Sequence, residues 1–483
     1  MTVDTITDYD HRHDHNGGES RTRLSLRLHH AARLADSIWL LVLVLYVLLG
    51  TGLAPFHGDE STLIYMSRDY HYQFIARDLS GVRYSDPPIS PTEQDLRLLN
   101  GTVHKYLVGL AWHLSGFTIN DINEQWDWGA DWFYNVQNGH LPTDDLLITA
   151  RRVSVLFLAA GVTVIFALAK VVGGRPTAYL VSLYYALNPA LLLNGRRAMM
   201  EGSLIFFSLL VVLAGLWFWQ HRSWWTIVAL GVASGLAVAS KHTGVISVVA
   251  VFGASGLYSL IQSIKSDQRR ETIQRLFGLT LAGIIGLGLF YAMNPAWWGD
   301  PLGRIGDVLD RREILLSGQV ATFGGYESFA DRLAGFGRQV FGAIPQYYEV
   351  SDWADTIGEQ ITRYESSIWR GVSIGGSTGG AILLATITVF GLWRLLRARA
   401  LSLSLRLPTA GWVILTLVVT SLLTPLEWQR YYLLVYPVIG ILGALGLTQM
   451  ARYVRTDRLS VYSGRWQKPD PRTTGGKPTA PSS

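Results

Sequence analysis

No cysteine occurs anywhere in the 483 residues. That absence excludes disulfides and thiolate-held metals, and it removes redox chemistry as a guide to compartment. Charge is scarce as well. Asp, Glu, Lys and Arg make up 16% of the chain, whereas a soluble domain carries about a quarter. Nucleic-acid signatures are missing: there is no zinc-finger, helix-turn-helix or RNP pattern, so the net charge of +5 does not point to DNA or RNA. No internal repeat divides the sequence into halves, as many transporters do. "GGSTGG" is followed by no lysine and preceded by no strand pattern, which excludes a phosphate loop and leaves a flexible junction. No His/carboxylate spacing argues for a dedicated metal or other cofactor.

What the chain has is apolar sequence. Hydrophobic residues form 49% of it, gathered into runs close to the roughly 20 residues that cross a bilayer core as a helix. Candidate spans lie at 36–54, 150–171, 177–193, 201–219, 224–240, 243–262, 275–293, 376–394, 409–426 and 431–449. The expected fold is an all-α polytopic membrane protein of about ten (nine to twelve) spans, by the bilayer-length rule. It divides into a polar tail (1–35), a membrane domain (36–450) and a Pro-, Gly-, Ser- and Thr-rich tail (451–483) expected to be disordered. The first apolar run begins too far from the start for an ordinary cleaved leader. Histidines 11, 13, 15, 29 and 30 are expected in a solvated tail.

Two long polar stretches, 55–149 and 295–375, interrupt the spans, and both are acid-rich. The basic clusters lie elsewhere: Arg21, Arg23, Arg27 and Arg33 before the first span, Lys170 and Arg175 after the second, then "IKSDQRRETIQR", "RLLRARALSLSLR" and the tail. The positive-inside rule makes those connections and both termini cytoplasmic and puts both acid-rich stretches outside the cell membrane. "TVHKYLVGLAWHLSGF" is apolar but short, and as a span it would invert that arrangement; a helix lying along the outer interface is expected. Trp126, Trp128, Trp132, Trp297 and Trp298 read as interface anchors, with sugar stacking an alternative for the last two. Asn100-Gly101-Thr102 matches a glycosylation sequon, a pattern common by chance.

On this topology several ionisable residues gather at one membrane face. Asp59 and Glu60 follow the first span. Arg196, Arg197 and Glu201 sit in "LLLNGRRAMMEGSLIFF", Lys241 and His242 in "AVASKHTGVISVV", and Arg430 opens the last span. Charges at membrane depth are costly and mark functional sites. A single arginine at a span end also has a plain reading, reaching a lipid headgroup. Adjacent acids have no such outlet, because they repel each other and gain little from an anionic surface. Acids there suit a general base, and lysine and arginine suit a phosphate.

The order and spacing of "FHGDES", "NGTVHKYLVGLAWHLSGF", "LNGRRAMMEGSLIFF", "GLAVASKHTGV" and "RYYLLVYPVIG" over residues 36–450 resemble the GT-C type membrane glycosyltransferases. Within them the chain is similar to the protein O-mannosyltransferase and aminoarabinose-transferase group, glycosyltransferase family 39. The resemblance implies a GT-C fold with two large external loops bearing interfacial helices. It also implies a polyprenyl-phosphate-linked sugar as donor and, as acceptor, a hydroxyl on a protein, glycan or lipid. Carried over, Asp59 matches the acid that acts on the acceptor, Glu60 the second acid of the pair, and Glu201 a further external carboxylate that is usually Asp. "HKYL", with His104 and Lys105, takes the place of a His-Pro-Pro-Leu-like stretch without its prolines, as a donor or acceptor contact. Lys241 and Arg430 match cations expected near the carrier phosphate, and Arg196 is a further candidate to bind it. The reaction implied is a single inverting displacement with Asp59 as base. No cofactor is required, although a divalent ion shared by Asp59 and Glu201 is conceivable. A transporter or lipid flippase is the alternative.

Overall fold

The computed structural model describes residues 15–221, 223–265, 269–349, 353–397 and 401–463. Helices and turns account for them, with no strand among the described residues. Seven helices there are long and apolar enough to cross a membrane, beginning with His30–Leu53 and Asp144–Gly173 and ending with Leu403–Leu423. The other expected spans are also helical. Trp224–Ser240 is shorter. The run at 177–193 is broken at Asn188-Pro189 into Arg175–Leu187 and Pro189–Arg196, because proline removes a helical donor and Asn188 caps the new start. The last span lies in Val435–Ser463.

The termini differ from the expected tails. The first helix starts at His15 rather than near 36, and the last runs to Ser463. His11, His13 and residues 464–483 lie outside the described residues.

Burial sorts the spans. The Glu201–Gln220 helix has 78% of its apolar window buried, whereas Arg269–Met293 has 22%; the former is central and the latter faces lipid. Outward apolar surface carries no penalty in hydrocarbon, so Leu34, Ile38, Leu41, Leu45 and Leu49 stand exposed along the first helix.

The two ends of the bundle are chemically distinct. At one end Asp36 accepts from Lys170 at 3.0 Å, Arg175 at 3.2 Å and the Tyr179 hydroxyl at 2.8 Å. At the other, Arg151 of the same Asp144–Gly173 helix as Lys170 binds Glu60. The 19 residues from Arg151 to Lys170 rise about 28 Å, close to the hydrocarbon thickness.

Both long polar stretches fold over the Arg151 end. Each contributes a helix with an apolar stripe turned outward. Thr102–Leu114 buries His104, Lys105 and Trp112 and exposes Leu107, Leu110 and Leu114. Pro301–Phe323 exposes Leu302, Ile305 and Leu309. At 13 residues the first is too short to span, and its stripe has the i, i+3, i+7 spacing of an interfacial helix.

Candidate active site

The acid pair opens the Gly58–Met66 helix. His57 caps it: its Nδ1 accepts from the Asp59 amide at 3.1 Å, and the Glu60 carboxylate accepts from the His57 amide at 3.1 Å. The two neighbouring acids therefore point to different surroundings. Glu60 is fully buried. It takes Nε and Nη2 of Arg151, both at 2.7 Å, and the Ala198 amide at 2.7 Å. Burial raises its carboxyl pKa, but Arg151 outweighs this and holds it below the ordinary value. With its oxygens so occupied, Glu60 secures the loop to the bundle and is not offered to a substrate.

Asp59 remains one-quarter exposed and pairs with Arg430, 371 residues away in sequence. Arg430 also lies 3.8 Å from Glu349 of the second polar stretch. Glu349 in turn is 2.6 Å from His57 Nε2. Because Nδ1 accepts a backbone hydrogen, Nε2 carries the proton and donates to Glu349. Burial pushes the imidazole below its ordinary pKa despite the pull of Glu349, so His57 is a neutral strut between the two stretches.

An aromatic wall stands beside this acid. Phe56, Trp126, Trp132 and Trp353 pack together, and Trp128 stacks on Trp353 with centroids 5.6 Å apart. Trp126 is buried, and Trp128 is half exposed. A Cβ at Gly58 would come within 2.9 Å of both Trp126 and Trp128, so glycine lets the wall close on the helix start. These tryptophans pack on one another and, through Trp128 and Trp353, on His57. Trp297 similarly packs on His242 and Phe290.

A second ion pair joins Lys241 Nζ to Glu201 Oε1 at 2.8 Å. Among the described residues, Glu201 Oε2 and His104 Nε2 are buried beside it with no hydrogen-bond partner. Gly101 makes this grouping possible: a Cβ there would stand 2.1 Å from the Ser240 carbonyl, so the start of the His104 helix rests directly on the Lys241 turn. The two ion pairs belong to one framework. Arg151 and Ser154 share a helix face. Arg151 holds Glu60, and Ser154 Oγ lies 3.4 Å from His104 Nδ1 and donates to Met199 O at 2.8 Å. The 198–201 segment runs from the amide on Glu60 to the Glu201 carboxylate.

Two expected ligand contacts are enclosed instead. Arg196 is buried, donating to the carbonyls of Tyr46, Val47 and Trp369 and to the Tyr364 hydroxyl. It ties the first helix to the second polar stretch and has no opening toward a phosphate. Lys105 is buried against Asp69 at 2.6 Å, beside the Arg97–Asp69 pair. Lys105 and Arg97 hold Asp69 below its ordinary pKa although burial acts the other way.

Sequence reasoning missed His57, Arg151 and Glu349. Arg151 satisfied the same rule that singled out Arg196, a charge at the membrane edge, but lay inside the expected span 150–171 and was not singled out. His57 precedes Glu60 by the three residues of a capping box, with an unusual cap residue. Glu349 carried no signal beyond lying in an acid-rich segment. Among the described residues, no three His, Asp or Glu side chains form a group able to hold a metal. Asp59 and Glu201 are each neutralised by a cation.

Comparison with known proteins follows the same lines. Residues 98–294 match the sequence model of the family described as dolichyl-phosphate-mannose-protein mannosyltransferase. No curated protein matches the chain in sequence. Among solved structures, it is similar to the Archaeoglobus fulgidus oligosaccharyltransferase in the apo form, with TM-score 0.50 and 13% identity over 89% of this chain and 52% of that one. It is also similar to ArnT from Cupriavidus metallidurans bound to undecaprenyl phosphate, with TM-score 0.49 and 16% identity over 86% and 60% of the two chains. The chain thus spans about half the length of the archaeal enzyme. The fold is that of the GT-C glycosyltransferases.

Proposed function

We propose that this GT-C membrane protein moves a sugar from a polyprenyl-phosphate carrier to an acceptor hydroxyl on the outer face of the membrane, with inversion. One observation carries the reading: a partly exposed carboxylate, Asp59, is paired with a cation, Arg430, from the far end of the chain. The match to a family named for a dolichyl-phosphate sugar donor supports the donor class.

The pairing suggests how donor binding prepares the base. Without donor, Asp59 and Glu349 share the charge of Arg430. A carrier phosphate is a stronger bidentate partner for a guanidinium than a shared carboxylate. As it takes Arg430, Asp59 is released to accept a proton. The acceptor oxygen then attacks the anomeric carbon, the bond from that carbon to the phosphate oxygen breaks, and the hydroxyl proton passes to Asp59. Lys241 stabilises the departing phosphate in the same way, freeing Glu201. The unpartnered Glu201 Oε2 and His104 Nε2 are then placed to bind sugar hydroxyls.

General-base assistance contributes about 10²–10⁴-fold. Asp59→Asn is therefore expected to lower transfer of radiolabel from a prenyl-phosphate sugar by at least about 10²-fold, while the purified protein keeps its elution profile and helical content. Transfer within a few-fold of the parent would remove Asp59 from the reaction.

A further inference from the structure

Trp128 is 45% exposed. One face of its indole stacks on Trp353, with 5.6 Å between centroids and 10° between planes, and Trp353 is itself buried. The edge of the ring meets the start of the Gly58–Met66 helix: a Cβ at Gly58 would stand 2.9 Å from Trp128 Cζ2. Standard bond lengths then put the ring within about 8 Å of the Asp59 Cα. An open aromatic surface therefore lies next to the proposed base, at a distance that one sugar ring bridges.

The loop that carries Trp128 is ordered by its own hydrogen bonds. Asn135, fully buried, accepts from the Asp127 amide at 2.8 Å and donates to the carbonyls of Asp127 and Asp131, both at 2.9 Å. Asp127 Oδ1 accepts from the Gly129 amide at 2.8 Å, and Asp131 Oδ1 from the Tyr134 amide at 2.7 Å. Both acids are exposed. Among the described residues, neither meets a cation, and the second oxygen of each is uncommitted.

We propose that this surface binds a neutral sugar ring of the acceptor, which makes the acceptor a glycan. The assignment rests on the sugar-transfer reading above and names the acceptor class that it leaves open. A sugar ring presents C–H groups on its face and hydroxyls at its rim. The Trp128 face takes the first, as aromatic surfaces take apolar groups. The free oxygens of Asp127 and Asp131 accept hydrogen bonds from the second. The next ring of the glycan then brings its hydroxyl to Asp59. The two uncompensated carboxylates repel a phosphorylated or sulfated chain. A peptide acceptor needs free backbone partners, and those of Asp127 and Asp131 are committed to Asn135. A loop ordered in advance loses little entropy on binding.

The test is saturation-transfer NMR on the full chain, in a detergent without a sugar headgroup, with trisaccharides of mannose, glucose and arabinose as probes. At least one is expected to bind with Kd below about 10 mM. Trp128→Ala should weaken that binding about 10-fold. Trp128→Phe keeps an aromatic face and should weaken it about 3-fold, which preserves the test if the alanine variant fails to fold. Trp225→Ala removes a comparably open tryptophan, at the opposite end of its helix from Lys241, and should change nothing. The measurement involves neither donor nor transfer, so a failure of Asp59 as base would not disturb it. Absence of binding by all three trisaccharides, or binding that survives Trp128→Ala, would overturn the assignment. So would a serine- and threonine-rich peptide whose binding is lost in Trp128→Ala, which makes the acceptor a protein.

Discussion

At the scale of single residues, the two adjacent acids separate by what surrounds them. Glu60 is a structural anion: its removal leaves the Arg151 guanidinium buried without a counter-charge. Breaking a buried pair from one side costs about 3–5 kcal/mol. Glu60→Gln is expected to lower the thermal midpoint and raise the aggregated fraction on gel filtration, whereas Asp59→Asn leaves both unchanged. Equal stability of the two variants would contradict the division. His104 gives a pH signature. Burial lowers its pKa from 6.5 to about 4, so between those values the unfolded chain binds more protons than the folded one. Stability is fully present above about pH 6.5 and is lost as pH falls toward 4. The thermal midpoint should fall over that window, and His104→Gln should flatten the fall. A slope unchanged in His104→Gln would assign it to other groups. Residue types at the site were readable in the sequence, because charge near a span end is conspicuous. Their partners were not. Nothing local tells Asp59 that it will meet Arg430, or Lys105 that Asp69 and not a ligand will hold it.

Among the helices and turns, the Arg151 end is built on close approach rather than on length. The Thr102–Leu114 helix was legible as short, apolar and interfacial, since its leucine stripe is a local pattern. Which face would turn inward was less obvious. In water the charged side of an amphipathic helix faces out; here His104 and Lys105 face the protein and leucines face lipid, the order that a hydrocarbon solvent favours. Gly101, the middle residue of the chance sequon match, lets this helix touch the Ser240 carbonyl. Gly101→Val would force the two apart by more than an ångström. It is expected to lower transfer about 10²-fold with membrane insertion intact, because His104 would lose its place beside Glu201 and Lys241. A variant with normal turnover would show that this contact does not position the site. The spans expected at 201–219, 224–240, 243–262 and 376–394 lie within about three residues of helix bounds at both ends. The break at Asn188-Pro189 and the helical extension back to His15 were not legible, because the first lies inside an unbroken apolar run and the second continues a helix into polar sequence.

For the whole molecule, the two ends of the bundle are told apart by which residues share contacts. The polar stretches 55–149 and 295–375 meet at His57–Glu349 and Asp59–Arg430, so one face of the bundle holds both. Lys170, Arg175, Arg394 and Arg452 gather about 30 Å away along the helices. A bilayer fits between these two sets, and with the positive-inside rule we propose that the second is cytoplasmic. The absence of cysteine makes this directly measurable, since any introduced thiol is unique. Ser80 and Ser366 are exposed on the first and second polar stretches, and Ser402 is exposed at the basic end. In intact cells a membrane-impermeant maleimide should label Ser80→Cys and Ser366→Cys. It should reach Ser402→Cys only after permeabilisation. Labelling Ser80→Cys and Ser366→Cys from different sides would separate the acid from the segment that carries Glu349, and no single site could then include both. Labelling all three in intact cells would mean that the basic cluster does not lie across the bilayer from Asp59, which removes the basis for an outward-facing transfer site.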